Sequence, residues 1–394
     1  MMNKTTKIVM KQRIIGLDLL RGVAAYAVVV IHTGKLMIYS GFPTNEWTAA
    51  LTEISRFAVP FFLAISFYFM IRKLYTTASH SSWVFQLKSK WHRLLVPYLC
   101  WSTIYLSLRL LKALGRPDGL GQLFQDPVMI IFLGGASIHL YFLPLLFLGS
   151  FLLIIPEYLA RRQRQVNINI NTIILMFVSS MVVYELIIVS GNDFQFGSNC
   201  LEDTSSCSVA FQSLLGFALP SAKNNQLLRL VLVALAWFAQ CLPYIFMAMA
   251  FNHPAIEKKI RIPSKHYVFF STCLIVLLSI FWVISTYKVM YFPRSLYELI
   301  IAFSWLIVGI YLSKKMKDNW IVNNLGTCSF GIYLMHYLIL VIYTTLIDKL
   351  ANGFLKISPT LTMLILATLS FGTSWVITSL FMHKKATSKI LFGN

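Results

Sequence analysis

The chain has 394 residues, 57% of them hydrophobic and 12% charged, with a net charge of +20 and a mean hydropathy of +0.70. That is more apolar surface than a soluble core of this length can bury, so the composition excludes a soluble globular protein and implies a chain dissolved in a lipid bilayer. The basic excess does not point to nucleic acid, because Lys and Arg fall in short clusters beside apolar segments rather than along one stripe or arm.

The first apolar run, about 14–37, follows Lys4, Lys7, Lys11 and Arg13. It is as long as a spanning helix needs and no small-residue cleavage site follows it, so it reads as a membrane helix rather than a signal peptide. Nine further runs of spanning length follow at about 54–72, 93–113, 138–158, 171–190, 227–251, 266–287, 295–313, 325–347 and 360–382. No charged block interrupts them, which predicts one integral-membrane domain over 1–394, an all-α bundle of about ten transmembrane helices. An even number of spans puts both termini on one face. With that face cytoplasmic, 22 of the 34 Lys and Arg residues fall on inner segments and 8 on outer ones, the sense that the positive-inside rule requires.

Between the second and third runs, residues 73–92 mix Trp83, Phe85 and Trp91 with Lys88, Lys90 and His92, the composition of an interfacial amphipathic helix. The outer loops 114–137 and 191–226 are longer than a connection needs and are expected to cap a cavity. The second loop carries Cys200 and Cys207 around a polar stretch, either as a disulfide or as two free thiols. Neither a Walker-type motif nor a metal-ligand spacing of Cys and His is present, and no internal repeat is evident.

Ionisable residues inside spans are expensive and mark function. The first run concentrates them as Asp18, Arg21 and His32. On one helix Arg21 and His32 lie within about 20° of the same face and about 16 Å apart along the axis, so a single polar face lines much of the membrane depth. The bland alternative is a structural Asp18–Arg21 ion pair and one interhelical hydrogen bond from His32.

These residues carry a resemblance. The stretch Leu17-Asp18-Leu19-Leu20-Arg21-Gly22 with His32 beyond it resembles the opening signature of the acyltransferase-3 family of integral-membrane acyltransferases, in which an Arg and a His are separated by ten intervening residues. Val59 to Ser66, Arg93 to Tyr98, His139 to Pro144 and Ser329 to His336 resemble, in order, the family's motifs on its second, third, fourth and ninth helices. One departure is Phe67, where the family commonly has Gly after the second-helix Ser.

The resemblance implies transfer of an acyl group, usually acetyl from acetyl-CoA, to a sugar hydroxyl of an extracytoplasmic or lipid-linked surface polysaccharide such as an O-antigen. The setting would be a bacterial inner membrane, with no metal required. On that reading His32 is the general base, Arg21 holds a phosphate of the CoA donor and Asp18 orients Arg21. Lys90 and Arg93 either meet donor phosphates or only set topology, and Tyr98 stands with them in the third-helix motif. Ser66, His139, Tyr333 and His336 are candidate substrate contacts that also fit ordinary helix packing, and Arg56 and Glu298 either bind sugar hydroxyls or snorkel to water. A carrier or flippase for a lipid-linked sugar is the competing reading, with Arg21 and His32 lining a path and no bond broken; broken helices or paired repeats would favour it.

Overall fold

The computed structural model describes residues 13–76, 83–163, 169–191, 210–261, 265–286, 292–350 and 358–393. All regular structure among them is helical, and ten helices are long and apolar enough to cross a bilayer. They are α1 (Ile15–Tyr39), α2 (Glu46–Tyr75), α3 (Trp83–Leu114), α4 (Phe142–Leu159), α5 (Ile170–Ser190), α6 (Gln226–Phe251), α7 (Lys265–Ser285), α8 (Arg294–Lys315), α9 (Trp320–Ile347) and α10 (Pro359–Met382). Each overlaps one predicted run. Cys200 and Cys207 lie outside the described residues.

Besides α9, which starts at Trp320 rather than near 325, three boundaries differ from the predicted ones, each for a local reason. The helix of α2 begins at Glu46 because Asn45 and Thr48 form a capping box: the Asn45 side chain accepts from the Thr48 amide at 3.0 Å, and Thr48 Oγ1 accepts from the Asn45 amide at 3.0 Å. The stretch expected to be a separate interfacial helix is instead continuous with α3 from Trp83 onward, through a π-helical turn at Trp91–Leu95. The fourth span starts at Phe142 rather than near 138, because residues 134–141 are drawn into a loop inside the bundle.

The helix α1 is the axis of the structure. It packs against α2, α8, α9 and α10, and 72% of its spanning window is buried, against 17% for α5 and 11% for α7, which lie at the periphery. Small residues allow this close packing. The Gly16 amide donates to Ser313 Oγ on α8 at 2.8 Å, and a Cβ at Gly326 of α9 would run into Asp18.

The connection from α3 to α4 does not cap the bundle; it enters it. The Tyr98 hydroxyl donates to the Ile131 carbonyl at 2.8 Å and accepts from the Gly134 amide at 3.1 Å, while Arg109 donates to the Gly135 carbonyl at 2.7 Å. Tyr98 lies sixteen residues before Leu114, about 24 Å along the helix, so the loop folds back deep beside α3. Gly134 makes the turn with φ +82, where any Cβ would meet the backbone of Leu140 and Tyr141. The short helix Pro127–Phe132 is capped by Asp126, whose carboxylate accepts from the Met129 amide at 2.9 Å and pairs with Arg229 of α6 at 2.9 Å, both partners buried. At the end of the bundle where α1 begins, the helix Lys385–Phe392 turns back beneath α3 and α9; Trp101 donates to the Leu391 carbonyl at 3.0 Å and Phe392 is buried near Gly331.

The Asp126–Arg229 pair anchors the folded-back loop. Replacing Arg229 with Met leaves a buried carboxylate without its cation, expected to cost about 3–5 kcal/mol. A clear fall in the detergent melting temperature, partly restored when Asp126→Asn is added, checks this.

Candidate active site

At the end where α1 begins, the Asp18 carboxylate is held by the Arg13 guanidinium and by Arg21, whose Nη1 lies 3.4 Å from Oδ1. Arg13 in turn donates to the Asn323 carbonyl at 2.7 Å and to Thr327 Oγ1 at 2.8 Å, tying the start of α1 to α9. Asp18 is 6% exposed while the side chain of Arg21 is 36% exposed, so the carboxylate is the more enclosed of the two. Arg93 and Lys90, brought over by the start of α3, lie within electrostatic range of Arg21, and Lys73 of α2 lies within range of Lys90. One buried acid thus stands among five cations, a field that attracts an anion.

Deeper in the bundle three imidazoles meet. His32 of α1, His139 of the folded-back loop and His336 of α9 have ring centroids 5.0 to 5.9 Å apart. His139 Nε2 lies 3.3 Å from the Leu334 carbonyl and its Nδ1 is 3.1 Å from Ser137 Oγ. A carbonyl only accepts, so Nε2 of His139 carries the hydrogen and Nδ1 accepts from the serine; both nitrogens are occupied. His336 Nδ1 lies 2.7 Å from the Tyr333 carbonyl and 3.2 Å from that of Ile332, and so is also an N–H donor. Among the described residues, His336 Nε2 and His32 Nδ1 have no hydrogen-bond partner. His336 is 0% exposed, His139 1% and His32 8%, so His32 is the least buried of the three rings. Among the described residues no group of His, Cys, Asp and Glu is arranged to hold a metal ion.

Around the imidazoles stands a ring of tyrosines. Tyr105 packs edge-on to His139 at 5.1 Å and donates to the Leu334 carbonyl at 2.8 Å; Tyr337 lies 5.7 Å from both His32 and His139; Tyr333 donates to the His139 carbonyl. Towards the far end of the bundle, Tyr141, two residues past His139, comes within electrostatic range of Arg56, Arg294 and Glu298. Glu298 accepts from Tyr184 at 2.8 Å and from Arg294 Nε at 2.8 Å, and Arg56 pairs with Glu53 at 2.7 Å. Polar groups therefore run from the cationic end, through the imidazoles, to this acid and base cluster.

The family model for an acyltransferase domain matches residues 14–379, nearly the whole chain. The chain belongs to the acyltransferase-3 family. No curated protein and no solved structure matches it.

In this membrane acyltransferase the candidate residues fall into three groups. Asp18, Arg21, Lys90 and Arg93 share the cationic end; His32, His139, Tyr333 and His336 share the centre; Arg56 and Glu298 sit in the far cluster. Tyr98 and Ser66 stand apart. The Tyr98 hydroxyl is committed to the loop backbone, and Ser66, half-buried on α2, forms no hydrogen bond among the described residues. An apolar recess between α4, α5 and α6, lined by Ile154, Tyr158, Leu175 and Phe246, shares no residue with the polar groups.

Arg13, which in the sequence looks like a topology residue, and Ser137, Tyr105 and Tyr337 join the site without a motif that marks them. Tyr98, Trp101 and Tyr105 recur at intervals of three and four on α3, a periodicity that marks one buried aromatic face.

The Tyr98 hydroxyl holds the loop that delivers His139. Tyr98→Phe leaves a buried amide and carbonyl without that partner, an expected cost of about 1–3 kcal/mol. Faster hydrogen exchange confined to residues 129–140 is the expected result.

Proposed function

We propose that this acyltransferase moves an acetyl group from acetyl-CoA, bound on the cytoplasmic side, to a sugar hydroxyl of a surface polysaccharide or lipid-linked repeat unit on the outer side. The polysaccharide is of the O-antigen type, and the setting is a bacterial inner membrane with both termini in the cytoplasm. The chain works as one integral-membrane domain. Arg21, with Lys90 and Arg93, holds the donor's phosphates; Asp18 orients Arg21; and His32 is the general base.

The observation that carries this reading is the polar track itself. A donor anchored by phosphate at Arg21 has to present its thioester near His32, about 16 Å deeper along the same face of α1. Acetyl-CoA suits that demand, having its phosphates at one end of a long flexible arm and its thioester at the other. A sugar hydroxyl is a poor nucleophile near neutral pH, so a buried imidazole that accepts its proton during attack on the thioester carbonyl lowers the barrier. The hydroxyl proton passes to His32, the new C–O bond forms as the C–S bond breaks, and the thiolate of CoA receives the proton. Arg56 and Glu298, with their neighbouring tyrosines, supply the donors and acceptors that a sugar requires. His139, His336 and Tyr333 line the meeting point.

Replacing His32 with Ala should lower acetyl transfer at least about 100-fold, the usual scale for a lost general base, at unchanged protein abundance. Retained transfer sinks the base assignment. Replacing Arg21 with Ala removes a charge-assisted phosphate contact and should weaken acetyl-CoA binding about tenfold or more by titration calorimetry. An unchanged affinity takes the phosphate site away from Arg21.

A further inference from the structure

Resting on His32 as the base, we infer that His336 is its positioning residue: a turn of the His32 ring lets His336 Nε2 accept a hydrogen bond from His32 Nδ1–H, which leaves His32 Nε2 bare for the acceptor hydroxyl. Two independent observations lead there. The first is the tautomer of His336. Its Nδ1 faces only carbonyl oxygens, those of Tyr333 and Ile332, so in the neutral ring the hydrogen sits on Nδ1 and Nε2 carries the lone pair. Both carbonyls lie in the preceding turn of the same helix, which fixes the ring as rigidly as the helix itself.

The second observation is what remains unpaired. His336 Nε2, wholly buried, and His32 Nδ1 lack partners among the described residues, and they belong to neighbouring rings with centroids 5.2 Å apart. As the rings stand these two nitrogens do not bond each other; at that separation, ring nitrogens turned towards each other come to about 3 Å, ordinary hydrogen-bond length. His336 can only accept through Nε2, so the shared hydrogen belongs to His32 Nδ1. The third ring does not compete, because His139 spends both nitrogens on Ser137 and Leu334.

The arrangement gives His32 what a catalytic imidazole needs, a partner on one nitrogen that decides which other nitrogen reacts. During transfer the O–H proton of the sugar moves to His32 Nε2 as the C–O bond forms and the C–S bond breaks. His336 keeps its own proton throughout and steadies the imidazolium by accepting from its Nδ1–H. The proton on Nε2 then passes to the CoA thiolate.

Two substitutions separate this role from simple packing. In His336→Gln the side-chain oxygen stands near the position of Nε2 and still accepts; in His336→Asn the amide N–H stands near Nδ1, keeping the bond to the Tyr333 carbonyl but offering no acceptor to His32. Transfer of radiolabelled acetyl from acetyl-CoA to polysaccharide is measured in membrane vesicles, with kcat and the KM for acetyl-CoA read separately. The glutamine variant is expected to keep most of the wild-type kcat. The asparagine variant should lose at least about tenfold in kcat with KM within about twofold, the scale of a lost orienting partner. Equal kcat in the two variants overturns the proposal.

Nitrogen NMR of 15N-histidine-labelled wild-type protein gives a reading that needs neither variant to fold. His32 is expected with its hydrogen on Nδ1; hydrogen on Nε2 of the neutral ring overturns the assignment. A wild-type protein that transfers no acetyl rejects the proposed function itself, whereas an active wild type with the wrong His32 tautomer rejects only the role of His336.

Discussion

A charged or strongly polar side chain inside a bilayer has to be surrounded by protein, because lipid offers it nothing to bond with. The helix α1 carries Asp18, Arg21 and His32, and that burden decides where it sits. It lies at the axis, with α2, α8, α9 and α10 around it, while helices that carry little polar cargo in the membrane, such as α7, stay at the edge. The small residues of α1 and its neighbours follow from the same demand. Gly326 leaves room for Asp18, and Gly16 allows a backbone amide to bond with Ser313 on the next helix.

Once α1 is central, the remaining parts of the site are assembled by elements that enter the bundle rather than surround it. The folded-back loop brings His139 to mid-depth and is fixed by Tyr98, Arg109 and the Asp126–Arg229 pair. The returning helix Lys385–Phe392 closes the opposite end against α3 and α9. Irregular backbone at membrane depth is tolerated only inside protein, and here nearly every exposed amide or carbonyl named at the loop has a side-chain partner. This enclosure excludes bulk water from the imidazoles, which strengthens each electrostatic contact there. It also limits access to His32, the least buried of the three rings.

The sequence revealed the spans well, because hydropathy reports the solvent directly: a lipid-facing or bundle-facing turn reads as apolar in either case. It revealed helix ends less well, since these depend on local hydrogen bonds such as the Asn45–Thr48 capping box and on the π-turn that joins Trp83–Lys90 to α3. The chemistry on α1 was legible as three ionisable residues on one face. What could not be read was convergence. His139 and His336 lie 107 and 304 residues from His32 along the chain, and nothing in their spacing says that their rings meet. Tyr98 and Arg13 show the opposite difficulty: both belong to family-like or topological patterns, yet one holds a loop and the other shares Asp18 with Arg21.

If the polar track joins a donor on one side of the membrane to an acceptor on the other, transfer has a fixed sidedness. Inside-out membrane vesicles containing the protein, with polysaccharide acceptor confined to the lumen, are given radiolabelled acetyl-CoA on the outside only. Acetyl ester is expected to accumulate on lumenal polysaccharide in the wild type and not in a catalytically inactive control, while free CoA appears outside. Acetylation only of acceptor supplied on the donor's own side, or uptake of intact acetyl-CoA before any transfer, would contradict it.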